Sequence, residues 1–292
     1  MKILSDFDGV LTDLSEEASR VRELFESKVV QLSGDRNARR LIQECVERVT
    51  SEPHLHGWRS GGNRVTAFSN EDGFIFVNGL AACMDDAVKN GHELARVVFS
   101  LVKNRGTDSF ADLAQACYQQ MAAETESGQR SPMDSGAGRA LKTLIEQGHC
   151  VVIVSNSGTD RIKSILSVSD VGGELDRPAP RIRIRGNAKK YVLGNGPENI
   201  TSKFYCVAVD RPCYREILLE EKPDVVIGDV FSLDLSLPVF MASQGFESLK
   251  KGYLFLRRRE YTPEWSIDIM RGFARGVKGG MLEHFDELIG LA

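Results

Sequence analysis

Apolar and polar positions alternate in two different rhythms along this chain. It opens on a short apolar run, Lys2 to Ser5, that predicts a first strand ending directly at Asp6. After Thr12 the period changes. Val21, Leu24, Phe25, Val29 and Leu32 recur every three or four places, predicting a helix that Ser15 caps, with Glu16 and Glu17 in its first turn. Asp35 is placed to cap a second helix with Ala38, Leu41, Ile42, Cys45 and Val49 on one face. From Ser51 to Gly73 the period is lost, and the stretch reads as a loop or a small irregular insert. Leu94, Val97, Val98 and Leu101 predict another helix. Phe110, Leu113, Ala114, Cys117 and Met121 predict one more, started by Thr107 and Asp108. Residues 126–135, "ESGQRSPMDS", read as a linker.

Beyond the linker, helix and strand alternate. Ala137, Ala140, Leu141, Leu144 and Ile145 mark a helix ending at Gly148. "CVVIVS" is continuously apolar, as expected of a parallel strand buried on both faces. A helix over about 159–168 follows, then "RIRIRG", whose alternation predicts a more exposed strand. "FYCVAV", "DVVIGD" and "YLFLRR" read as further strands, with helices near 212–221 and 234–244 between them. The last segment, "MLEHFDELIGLA", reads as a helix. Such alternation predicts an α/β fold with a doubly wound, mostly parallel sheet. The sheet domain would take residues 1–13 and 134–292, and a second, mainly helical domain would take residues 14–133.

Composition narrows the function classes. The chain has 292 residues, 42% hydrophobic and 27% charged, which is ordinary for globular protein with an ample core. The net charge of −4 advertises neither a nucleic-acid nor an anionic-membrane partner. The basic cluster Arg257-Arg258-Arg259 follows an apolar run and reads as a solvated strand end. No stretch reaches the ~18 apolar residues of a membrane span. The six cysteines form no CxxC pair and the opening residues do not read as a secretory leader, so buried free thiols in a reducing, cytoplasmic setting are expected.

Open α/β sheets build their sites at the carboxyl ends of strands. Here those ends carry Asp6-Phe7-Asp8-Gly9, then Ser155-Asn156-Ser157-Gly158, then Gly228-Asp229 with Asp234 shortly after. Acids gathered in this way repel unless a cation sits among them, and a hard divalent ion with oxygen ligands is the natural occupant. Mg2+ takes one or two carboxylates plus a substrate phosphate, which matches this set. A calcium loop beginning at Asp6 is excluded, because Val10 and Leu11 occupy the places that need an oxygen ligand and a glycine. His54 and His56 are spaced like metal ligands but lack a third partner, so a solvated loop is expected.

"ILSDFDGVLTD", "VVIVS" and "VVIGDVFSLD", in that order, resemble three motifs of the haloacid dehalogenase (HAD) superfamily of phosphohydrolases. The resemblance implies Asp6 as nucleophile and Asp8 as general acid and base. It implies Ser155 as a donor to a phosphoryl oxygen, with Asn156 placed to help. Mg2+ would be held by Asp6, Asp229 and the Asp8 carbonyl, with Asp234 ligating directly or through water. The family also needs a cation against the nucleophile, for which Lys190, Lys189 and Arg211 are the candidates, Lys190 foremost. The helical insertion is implied to be a cap that closes over the site and selects a small phosphorylated metabolite. Its hinges are expected near Thr12–Ser15 and Ser131–Gly136. Arg59 and Arg64, in a glycine-rich part of that insertion, could clamp an anionic substrate or belong to an ordinary surface loop. A phosphomutase would keep the same aspartates, and a non-catalytic regulatory member would keep the fold, so both readings stay open. A dehalogenase would lack Asp8.

Overall fold

The computed structural model describes residues 1–34, 36–60, 63–126, 133–134, 136–201, 206–272 and 278–290. Two compact units result: Met1–Leu14, Arg130–Ser202 and Cys206–Ala292 form the first, and Ser15–Gln129 the second. Asp35, most of the 126–135 linker with Ser131, and Phe204 and Tyr205 of "FYCVAV" lie outside the described residues.

The chain starts in the first unit with β1 (Lys2–Ser5). The second unit follows with α1 (Ser15–Ser33), α2 (Arg36–Ser51), β2 (Arg59–Ser60), β3 (Asn63–Arg64), α3 (Gly73–Lys89), α4 (Glu93–Lys103) and α5 (Phe110–Glu126). Back in the first unit come α6 (Ala137–Glu146), β4 (Cys150–Val154), α7 (Thr159–Ser167), β5 (Ile182–Arg185), β6 (Asn199–Thr201), β7 (Cys206–Ala208) and α8 (Pro212–Glu221). The chain then runs through β8 (Val225–Gly228), α9 (Ser236–Ser243), α10 (Glu247–Lys251), β9 (Tyr253–Arg257), α11 (Glu264–Gly272) and β10 (Lys278–Leu282).

Six strands of the first unit form one parallel sheet in the order β10-β9-β8-β1-β4-β5. Both faces are covered. Ile3, Val151, Ile153 and Val225 are buried on one side, and Leu4, Val152, Val226 and Leu254, of opposite parity, are buried too. This explains the unbroken apolar runs that the strands show in sequence. From β1 the chain moves to β4 and β5 on one side, then crosses to β8, β9 and β10 on the other. The winding reverses at β1, where such sheets leave a crevice at their carboxyl edge.

Several elements differ from the sequence reading, each for a local reason. "FYCVAV" does not join the sheet; its described part, β7, pairs antiparallel with β6 in a separate ribbon. β10 was unread because Lys278-Gly279-Gly280 carries no apolar pattern; its register comes wholly from β9, with Gly279 opposite Leu254. The C-terminal segment is no α-helix: Met281 and Leu282 end β10, and Phe285–Gly290 forms a 3-10 turn. Arg257 and Arg259 are not solvated. The Arg257 guanidinium donates to Asp134 Oδ2 at 2.8 Å, and Arg259 donates to the Gly9 and Thr12 carbonyls and to Asp134. Asp134 N also donates to the Leu11 carbonyl at 2.8 Å, and Thr12 pairs with Met133. The two places where the first unit's chain leaves and returns are therefore tied together. Only Arg258 behaves as a surface residue, paired with Glu283.

In the second unit, α2 and α5 bury the faces read from sequence. α3 lies outside the sequence reading; it is the helix against which α1, α2, α4 and α5 all pack, and its polar side is confined to Asn78, Asp85, Asp86 and Lys89. Asp72 caps it, its Oδ1 accepting from Ile75 N at 2.5 Å. α4 is rotated from its expected phase: Ala95, Val98 and Val102 are buried, while Val97 is 43% exposed.

Candidate active site

β8, β1 and β4 are neighbours in the sheet, so Asp229, Asp6 and Ser155 emerge side by side from their carboxyl ends. Alternation sends Phe7 into the core, fully buried, between Asp6 and Asp8. Asp6 N still donates to Ile227 O at 2.9 Å, which carries the strand geometry one residue past β1 and fixes where the first carboxylate starts.

Asp6 Oδ1 accepts from Phe7 N at 2.8 Å and pairs with Lys190 Nζ at 3.0 Å. Both contacts fall on one oxygen, which leaves Oδ2 as the oxygen turned to an incoming group. Lys190 is 1% exposed and also donates to Asp234 Oδ1 at 2.8 Å. Its ammonium thus bridges two carboxylates that face one another. Burial alone would push the proton off Lys190, but Asp234 and Asp6 outweigh it and raise its pKa above the ordinary value. Asp6 shows the converse: burial pushes it well above the usual carboxylate range, Lys190 pulls it back, and Asp234, Asp229 and Asp8 push it up again.

Asp6, Asp229 and Asp234 each offer a carboxylate oxygen within 4.8 Å of the others, a group that could hold a metal ion. Three anionic oxygens suit a hard divalent cation such as Mg2+. The backbone is shaped to bring them close. Gly9 has φ +75°, and a Cβ built on it would lie 2.0 Å from Asp229 Oδ2. Gly228 allows the same approach to Asp234, whose Cβ would be 2.1 Å from an added methyl. Asp234 sits in a π-helical turn over Phe231–Leu235, and its Oδ2 accepts from Val230 N at 3.0 Å. Gly9→Ala should therefore push Asp229 out of the cluster. We expect Mg2+ affinity measured by calorimetry to fall at least roughly tenfold, with a backbone cost of about 1–2 kcal/mol on top. Unchanged affinity would show that Asp229 does not need its present position.

The Asp8 side chain stands apart from that group. Its Oδ2 accepts from Ser155 Oγ at 2.9 Å and Ser157 Oγ at 2.6 Å, and its Oδ1 pairs with Arg161 at 2.7 Å. Asn156 points elsewhere: its Oδ1 accepts from Lys190 N at 2.8 Å, so it holds the loop that delivers the lysine. Arg211 is fully buried and donates to the Lys190 carbonyl, supporting the same loop from behind. Lys189 is exposed, with φ +50°. Of the three candidate cations, Lys190 is the one whose charge lies against Asp6.

Arg59 and Arg64 belong to the second unit. Arg59 pairs with Asp86 at 3.0 Å, and Arg64 donates to the carbonyls of His54 and Leu55. Three residues beside the carboxylates were not assigned from sequence: Ser157 and Arg161 on Asp8, and Tyr261, whose hydroxyl donates to Asp229 Oδ2 at 2.7 Å. Arg161 had a readable signal. A cation in the first turn of a helix, here α7, opposes the helix dipole unless an anion faces it. Tyr261 follows β9, so listing that strand's end with the others would have found it.

No family model and no curated protein matches the chain. Two solved structures are similar along nearly all of it. One is YfnB from Bacillus subtilis, described as a HAD-hydrolase and solved bound to magnesium; it is 14% identical, with 99% of this chain and 97% of that chain covered and a TM-score of 0.42. The other is CbbY from Rhodobacter sphaeroides in complex with xylulose-(1,5)bisphosphate; it is 16% identical, with 98% and 95% covered and a TM-score of 0.43. Likeness at that level transfers no residue role to this chain.

Proposed function

We propose that this chain is a member of the HAD superfamily, a Mg2+-dependent phosphohydrolase that releases phosphate from a small phosphorylated metabolite through an aspartyl-phosphate on Asp6. One observation carries the reading: the Asp6 carboxylate stands within a single three-acid group with Asp229 and Asp234, and Lys190 Nζ lies 3.0 Å from its Oδ1. A structural ion pair would need only one carboxylate for that lysine.

In the first half-reaction Asp6 Oδ2 attacks phosphorus in line, the ester P–O bond breaks, and the leaving oxygen takes a proton from Asp8. In the second, water loses a proton to Asp8 and attacks phosphorus, the Asp6–phosphate bond breaks, and inorganic phosphate leaves. Lys190 keeps Asp6 oriented and offsets charge on the transferring group. Asp6, Asp229 and Asp234 would hold a magnesium ion, which would supply further positive charge for the phosphoryl oxygens. Asp8 accepts from three donors, Ser155, Ser157 and Arg161, which fix the orientation of its carboxyl. To act first as an acid it has to loosen from that set, and phosphoryl oxygens competing for the Ser155 and Ser157 hydroxyls provide the means. Tyr261 would orient Asp229 from outside the metal.

The second unit would select the substrate. Arg59 and Arg64 are already held by Asp86 and by main-chain carbonyls, so either must leave its partner before it can meet an anion. The test is phosphate release from a panel of phosphorylated metabolites, with Mg2+ and with a chelator. Release that falls to background on metal removal is expected. Release indifferent to the chelator, or none across the panel, would overturn the reading; phosphate moved within a sugar without release would mean a mutase.

A further inference from the structure

The second unit contains a thiol pair that phosphate chemistry leaves unused. Cys45 on α2 and Cys83 on α3 lie in one apolar cluster between these packed helices, 1% and 3% exposed, near enough for each to shift the other's ionisation. Cys83 also lines a cavity of about 470 Å3 whose wall includes Arg48, His56, Arg59, Arg64 and His92. Arg48, Arg59 and Asn90 are exposed, so the cavity reaches water although the sulfur itself is covered. We propose that Cys83 and Cys45 form a peroxide-oxidisable dithiol, with Cys83 as the attacking thiol, Cys45 as the resolving thiol, and hydrogen peroxide or a small hydroperoxide as the oxidant.

The cavity assigns the attacking role to Cys83, because Cys83 lines its wall and Cys45 does not. Cys45 beside it, with His56 and Arg48, draws the Cys83 thiol down to about 5 although burial opposes them. Neighbouring Cys83 and burial push Cys45 up. Ionisation alone confers little selectivity, since a thiolate's intrinsic nucleophilicity falls along with its pKa and nearly offsets the gain. Selectivity comes from the open cavity at Cys83 and from a second buried thiol on the adjacent helix. Cys117, buried in the same helical core with its thiol also raised by burial, does not line that cavity.

The chemistry balances without another reactant. The Cys83 thiolate attacks one peroxide oxygen, the O–O bond breaks, and the departing hydroxide takes up a proton and leaves as water. Cys83 is then a sulfenic acid. Cys45 gives up its proton and attacks the Cys83 sulfur, the S–O bond breaks, the second water leaves, and a disulfide joins α2 to α3. Two thiols lose two electrons in all, and the peroxide gains them.

The experiment treats the full chain with a small excess of hydrogen peroxide, alkylates the remaining thiols, and maps unreduced peptides by mass. The expected product is a Cys45–Cys83 peptide pair that loses two hydrogens and is recovered as two peptides on reduction. Cys83→Ser should lose that product, while Cys45→Ser should leave a sulfenic acid on Cys83 that a dimedone probe captures. The wild-type map decides the matter even if a variant folds poorly. Oxidation confined to the exposed Cys206, or Cys83 modified no sooner than Cys117, would overturn the proposal.

Discussion

Asp6→Asn is expected to abolish phosphate release, by at least roughly 10^4-fold, while leaving the fold intact. Loss of a nucleophile that acts with its neighbours as a unit costs this much or more, because the remaining groups have nothing to activate. The physical interest lies in stability. Burial holds the Asp6 carboxyl well above the usual range, so without metal its ionisation works against folding. The sign follows from linkage: the group's contribution is whole below the ordinary carboxylate pKa and is lost as pH rises through the raised folded value. A neutral Asn avoids that loss, and Lys190 keeps Asp234 as a partner. Metal-free Asp6→Asn should thus unfold in urea at neutral pH no earlier than the parent chain. A variant both inactive and strongly destabilised would assign Asp6 a structural role instead.

Lys190→Met is expected to do the reverse, harming stability and activity together. Its ammonium is buried between Asp6 and Asp234, and removing one member of a buried ionic set strands the others. The expected cost is about 3–5 kcal/mol, read by urea denaturation without metal. Turnover should fall by roughly 10^2–10^3, the usual price of a preorganised charge at a transferring group. Arg211 cannot take over, since its guanidinium is engaged with the Lys190 carbonyl. Lys189→Met, on the exposed neighbour, should leave both quantities within error. If Lys189→Met were the damaging change, the positive charge at Asp6 would have been assigned to the wrong residue.

The carboxylates were legible in sequence because strand-end motifs are local. An apolar run places the residue that follows it, so Asp6, Ser155 and Asp229 could be positioned from their own segments. What surrounds Asp8 and Asp229 was less legible, because it depends on where distant elements pass. Arg161 reaches Asp8 through the phase of α7, and Tyr261 reaches Asp229 from the turn after β9. The same division holds in the fold. The one-sided helices α2 and α5 announced their buried faces. α3, surrounded by other helices, buries most of its circumference and leaves only the narrow face of Asn78, Asp85, Asp86 and Lys89 to mark it, and the Ala95 side of α4 was too weakly apolar to outweigh Val97. β10 carries two glycines and is a strand only because β9 lies beside it. Arg257 and Arg259 looked like a surface cluster because their partner, Asp134, is far away in the chain.

The most direct test of the account is the mass of the peptide containing Asp6 after turnover is quenched in acid, using a metabolite that the protein dephosphorylates with Mg2+. One phosphoryl group on Asp6, absent when Mg2+ is withheld, is the predicted result. Steady phosphate release with Asp6 never modified, or with the phosphoryl group on another residue, would contradict it.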